Sequence, residues 1–154
     1  MTQLCRNDIV WFCLISLIVP SLVMIYGDAM YAGLYYYLAV PAVALLITIW
    51  LSPGKGFLVG LGVALAIEFI LVLQINWRSE HQDGMVGVLH MASLPGALIA
   101  IVFAGRKFKR RPKVSPLAAT LLGSVYVLAG CTLTQVLFYL FFFALERFLV
   151  AISG

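Results

Sequence analysis

The stretch Gly56–Trp77, GFLVGLGVALAIEFILVLQINW, decides the class of this chain. Its 22 residues hold one ionisable side chain, Glu68, among 13 Leu, Ile, Val and Phe residues. A helix of that length rises about 33 Å, enough to cross about 30 Å of hydrocarbon. Each large apolar residue favours insertion by about 0.3–0.6 kcal/mol, whereas a charged residue near mid-bilayer costs about 2.5–3.5 kcal/mol. The sum favours insertion with Glu68 included. Glu68 must then find a partner, a proton or water.

Four further stretches outward from this one have the same character: Ile9–Tyr26, Gly33–Leu51, Met85–Gly105, and a long run within Val114–Leu145 whose expected limits are Leu117–Phe142. Each reaches the roughly 17–25 residues a spanning helix needs. The last run is too long for one upright helix, so it is expected to tilt or to project beyond the bilayer. The first is expected to be a retained span, because its apolar core exceeds the roughly 7–15 residues of a cleaved signal. Leu128-Ala129-Gly130-Cys131 matches a lipoprotein cleavage box by chance, since it lies in the last span.

The composition agrees. Of 154 residues, 64% are apolar and 10% charged, against about half and a quarter in a soluble domain. The fold class expected is all-α: a polytopic membrane helix bundle of about five transmembrane helices, forming a single integral membrane domain over residues 1–154. No independent soluble domain fits beside the spans. Cys5, Cys13 and Cys131 form no CxxC pair and read as reduced packing cysteines.

Basic residues set the orientation. With the N-terminus in the cytoplasm, Arg6, Lys55 and the run Arg106, Lys107, Lys109, Arg110, Arg111 and Lys113 all fall inside, and Arg78 and Arg147 fall outside. Asp28, Glu80, Asp83 and Glu146 accompany the outer side. N-in, C-out is therefore expected, in a membrane of the bacterial inner type. The run 106–113 is read as a cytoplasmic loop that fixes topology and touches anionic lipid head groups. It is not read as a nucleic-acid site, because no aromatic stacking platform accompanies it.

Glu68, Gln74, His90 and Gln135 are the polar candidates inside the membrane. Gly56, Gly60, Ala64 and Glu68 recur at four-residue spacing, a stripe on which another backbone packs closely. His90, Ser93, Ala97, Ala100 and Ala104 form a second stripe, and Gly123 and Gly130 a third small-residue face. The first two stripes are expected to meet, since the third and fourth spans are sequence neighbours. Val72 is expected to face lipid. Gln74 and His90 are placed above Glu68, with His90 about 7 Å from it in depth and bridged by water or Gln74. Pro20, Pro41 and Pro95 lie inside spans and are expected to kink them. Tyr35-Tyr36-Tyr37, Trp50 and Trp77 sit where interfacial aromatic belts form.

Chemistry is poorly represented. The chain has two histidines, His81 and His90, and no HExxH, HxxxH, CxxC or GxSxG pattern, so no metal, haem or serine-hydrolase site is expected. No cofactor is expected. Two readings of function follow. The first is a non-enzymatic bundle acting through helix contacts, as an accessory or assembly subunit or an immunity- or exclusion-type protein. Its partners would be the lipid bilayer and another membrane protein, or a second copy of itself. The competing reading is a small oligomeric proton- or cation-linked transporter or channel centred on Glu68. The orientation is open to direct measurement. In a cysteine-free background, an impermeant thiol reagent should label a cysteine at Ser79 from outside intact cells and spare one at Lys109; labelling at Lys109 would reverse the topology.

Overall fold

The computed structural model describes residues 6–78, 84–110 and 114–153. They form α1 (Arg6–Tyr26), α2 (Leu34–Leu51), α3 (Phe57–Arg78), α4 (Gly84–Lys109) and α5 (Pro116–Ser153), with no strand among the described residues. All five helices are long and apolar enough to cross a bilayer. α1, α2 and α4 continue through Pro20, Pro41 and Pro95. α3 touches every other helix, and α1, α2, α4 and α5 follow one another around it, with no contact between α5 and α1.

The bundle has two distinct ends. At one, α1 and α3 finish while α2 and α4 begin; Asp28, Tyr36 and Tyr37 lie here, and it is called the tyrosine end. The carboxylate of Asp28 organises the α1–α2 connection, accepting the Gly33 N–H at 2.6 Å, the Met30 N–H at 3.2 Å and the Tyr37 hydroxyl. Trp77 closes this end from α3, donating its indole N–H to the Gly27 carbonyl at 3.2 Å. At the opposite, basic end, the Asp8 carboxylate at the start of α1 accepts the Gly56 N–H at 2.9 Å.

The closest helix contact is also at the basic end. Gly56 (φ +86°) lies on the Pro116 backbone and Gly60 on the Thr120 backbone, where any Cβ would overlap a carbonyl oxygen. With the backbones that near, the Thr120 and Ser124 hydroxyls donate to the Gly56 and Gly60 carbonyls at 2.9 and 2.8 Å. Around these contacts Leu58, Leu61, Ala64 and Leu65 of α3 pack with Phe12, Ala44, Ala97, Ile101, Val127 and Cys131.

Several expectations change. The stripe Gly56-Gly60-Ala64-Glu68 packs on α5 through Gly56, Gly60 and Glu68, and meets α4 where Glu68 approaches His90. The α4 stripe turns to α5 through Ala100, which meets Gly130, and beside it Gly96 meets Gly130 and Thr134; Gly123 meets the Phe57 ring. Val72 is buried among Val19, Val23, Phe69 and Leu73. One more four-residue step from Glu68 keeps it on the packed stripe. Tyr37 is fully buried and Tyr36 partly so, and only Tyr35 of the triplet is exposed as a belt residue would be. Arg106, Lys107 and Lys109 belong to the last turn of α4, so the expected basic loop is in part helix; Arg111 and Lys113 lie outside the described residues. The fifth helix continues well beyond Phe142, to Ser153.

These contacts carry a stability prediction. Gly60→Ala and Gly96→Ala should each destabilise the bundle by about 1–3 kcal/mol, the usual cost of overpacking. Gly54, with nothing near its missing Cβ, should tolerate Ala. Leu at Val72 should be disruptive too, whereas Leu71→Val, at an exposed position, should be nearly neutral. Unfolding of the purified variants in detergent measures the order.

Candidate functional site

Midway along the bundle three helices bring polar side chains together in an apolar setting. Glu68 ends the small-residue stripe of α3 and is 8% exposed. Gln135 of α5 donates its amide Nε2 to Glu68 Oε1 at 2.5 Å. His90 of α4 is 1% exposed, and its Nδ1 lies 3.8 Å from the same carboxylate oxygen. That is within reach of an ion pair when His90 is protonated, but too long for a hydrogen bond. Neither ring nitrogen of His90 has a hydrogen-bond partner.

Aromatic rings fix the histidine. Phe69, adjacent to Glu68, holds its ring 4.7 Å from the imidazole, and Tyr36 of α2 meets the imidazole edge-on at 6.1 Å. The Tyr36 hydroxyl is buried without a hydrogen-bond partner. Ser93, one turn along α4, donates to the His90 carbonyl at 2.6 Å. Cys131, one turn before Gln135 on α5, is buried in the core cluster beside Ala97 and Val127. The site therefore gathers Tyr36, Glu68, His90 and Gln135 from four helices, with Ser93 and Cys131 on its border.

Comparison with family models, with curated proteins and with solved structures found no match. The chemistry must be read from the residues alone.

Of the four expected intramembrane polar residues, Glu68, His90 and Gln135 come together and Gln74 does not. Gln74 is six residues beyond Glu68, about 240° around the helix at 100° per residue. It is exposed and lines a surface groove with Leu22, Tyr26, Ile70 and Trp77. The contact between Glu68 and His90 needs no bridge through it. Tyr36 was missed because a run of three tyrosines reads as a belt. Helical spacing was the available signal for Cys131, one turn before Gln135, and it had already put Ser93 on the stripe of His90.

Two other features are distinct from this cluster. At the basic end the Lys107 ammonium lies 4.9 Å from the centre of the Tyr126 ring and donates to its hydroxyl. Phe103, Arg106, Lys107 and Arg110 line an open cavity of about 380 Å³ there. Between α2 and α4, Val40, Val43, Leu65, Leu94 and Leu98 line an apolar groove open to the side. Among the described residues no three His, Cys, Asp or Glu side chains are arranged to hold a metal ion.

Removing one member of the polar cluster should cost what an interhelical hydrogen bond is worth in a membrane protein. Gln135→Leu should therefore lower stability by about 0.6–2 kcal/mol. Gln74→Leu should have no such effect. Glu68→Gln keeps an oxygen to accept the Gln135 amide and should unfold close to the parent, while Glu68→Leu should lose the contact outright. The same detergent unfolding assay ranks them.

Proposed function

We propose that this chain is an integral membrane protein, N-terminus in the cytoplasm and C-terminus outside, that works without catalysis by contact with another membrane protein. An accessory or assembly subunit and an immunity- or exclusion-type protein are both of this kind. The orientation is supported by the basic residues: eight of the ten Lys and Arg then lie on the cytoplasmic side.

The observation that carries the contact reading is the far part of α5. From Tyr139 to Ile152 every described side chain is exposed. The segment is apolar all round, including Phe141, Phe142, Phe143, Phe148 and Val150, and only Glu146 and Arg147 interrupt it. α5 has 38 residues and is about 57 Å long, against about 33 Å for the 22 residues of α3. A 30 Å hydrocarbon layer does not cover such a helix at the usual tilt of about 20°. An all-round apolar helix needs apolar surroundings along its whole length, and a partner helix beside Tyr139–Ile152 supplies what lipid does not. The small-residue faces, in contrast, are used within the chain, so Gly130 serves the fold and not a partner.

A second reading, the proton- or cation-linked transporter centred on Glu68, is favoured by the approach of His90 to that carboxylate. Glu68→Gln separates the two, because it removes titration and keeps shape: transport would collapse and contact would survive.

A photo-crosslinking amino acid at Phe142 should capture a specific membrane protein in native membranes. The same probe at Leu46, exposed on α2, should capture lipid alone. Capture of a second copy of this chain at Phe142 would make self-association the function of the segment. Lipid adducts alone at both positions would overturn the contact reading.

A further inference from the structure

A histidine that is buried with both ring nitrogens unpaired is costly to keep. An unsatisfied buried polar group keeps its full desolvation cost, and both nitrogens of His90 are unsatisfied. A carboxylate oxygen 3.8 Å from Nδ1 is placed to offset the positive charge of an imidazolium. We infer that Glu68 and His90 together form a proton-binding site, entered from the tyrosine end of the bundle and closed toward the basic end. This goes beyond the contact function and requires of the preceding proposal only that the chain crosses a membrane.

Charge balance defines the bound state. With Glu68 ionised and His90 neutral, the pair has a net charge of −1. One proton taken from water onto His90 gives imidazolium facing carboxylate, net charge 0, and no bond other than the new N–H is formed. Gln135 holds Oε1 from the other side at 2.5 Å, so the carboxylate stays in place while the imidazole closes on it.

The groups around the pair are few. α2 presents Tyr36 and Tyr37, and α5 presents Cys131 and the uncharged Gln135. α1 presents no charged group there: Arg6 and Asp8 lie at its basic end and Cys13 is exposed. No lysine or arginine is described beside Glu68, so a proton is the positive charge within reach.

The route is read from the same residues. Asp28 is half-buried at the tyrosine end and holds the Tyr37 hydroxyl. The Tyr37 and Tyr36 rings meet edge-on at 5.7 Å, and Tyr36 meets His90 at 6.1 Å. Tyr36, its hydroxyl unpaired, thus stands in ring contact with both Tyr37 and the imidazole. Toward the basic end Ser93 and Cys131 border the pair, and past them Leu61, Ala97, Ile101 and Val127 are all buried and apolar. This arrangement binds a proton from one side and offers no polar path onward.

The chain has two histidines, so His81→Gln leaves His90 as a single reporter. The full-length His81→Gln protein, ¹⁵N-labelled at histidine and placed in lipid nanodiscs, should show His90 changing from a neutral tautomer to imidazolium on acidification. Adding Glu68→Gln should abolish the imidazolium signal, because the facing carboxylate charge is gone. Gln74→Leu should leave it unchanged. In sealed vesicles of one orientation, a pH change on the tyrosine side alone should move the signal, and Tyr36→Phe should slow the response. A His90 signal that stays neutral throughout, an imidazolium signal that persists in Glu68→Gln, or a response to the basic side alone would overturn the inference. None of these results depends on whether Phe142 finds a partner.

Discussion

Where α3 and α5 begin, no side chain separates their backbones. Gly56 lies on Pro116 and Gly60 on Thr120, and the arrangement is held by hydroxyls reaching across to carbonyls already used within α3. In lipid the hydrophobic effect gives two apolar helices no reason to associate, so close van der Waals packing and such hydrogen bonds must do it. The contact also sets register. With the two helices joined at the basic end and running in the same direction, Gln135 of α5 comes within 2.5 Å of Glu68. The second close approach, Gly96 on Gly130, then fixes α4 against the same helix and brings His90 to the same carboxylate.

Much of this was legible in the sequence, and the illegible part has one cause. Runs of about 20 apolar residues report helices because each backbone group must be satisfied within its own segment when water is absent. The four-residue spacing of Gly56, Gly60, Ala64 and Glu68 marks one stripe, since side-chain direction follows from helical geometry. What that stripe packs against is a tertiary fact. Chain order made α4 the natural neighbour, but an antiparallel connection requires only proximity. The glycines of α4 and α3 both serve α5 because its Thr120, Ser124, Gly130 and Thr134 are small enough to approach. The same gap misplaced Val72 and Tyr37. Hydrophobicity and position near a span end say nothing about whether a residue turns inward, whereas Asp28, which anchors Tyr37, is visible only once the α1–α2 connection has closed.

The polar cluster illustrates how an apolar helix bundle tolerates an acid. Inserting a charged carboxylate costs about 2.5–3.5 kcal/mol, more than the one hydrogen bond from Gln135 returns. The 13 large apolar residues of the Gly56–Trp77 stretch cover the difference for insertion, but packing alone would be served as well by leucine. His90 sharpens the point. A structural histidine would ordinarily satisfy at least one nitrogen, and a purely structural glutamate would not need an imidazole beside it. The pair is expensive as a packing device, since neither imidazole nitrogen has a hydrogen-bond partner.

The interior site and the exposed end of α5 also differ in what they ask of the fold. Glu68, His90 and Gln135 depend on contacts that are closed and specific, with three helices locked by Gly60 and Gly96. The far part of α5 depends on none of them. Past Phe138 the helix has left the bundle, and its remaining neighbours are its own side chains, such as Phe143 under Arg147. A helix interior in such a segment is sustained by its own backbone hydrogen bonds, so substitutions at Phe141 or Phe142 change the surface it presents without changing the bundle.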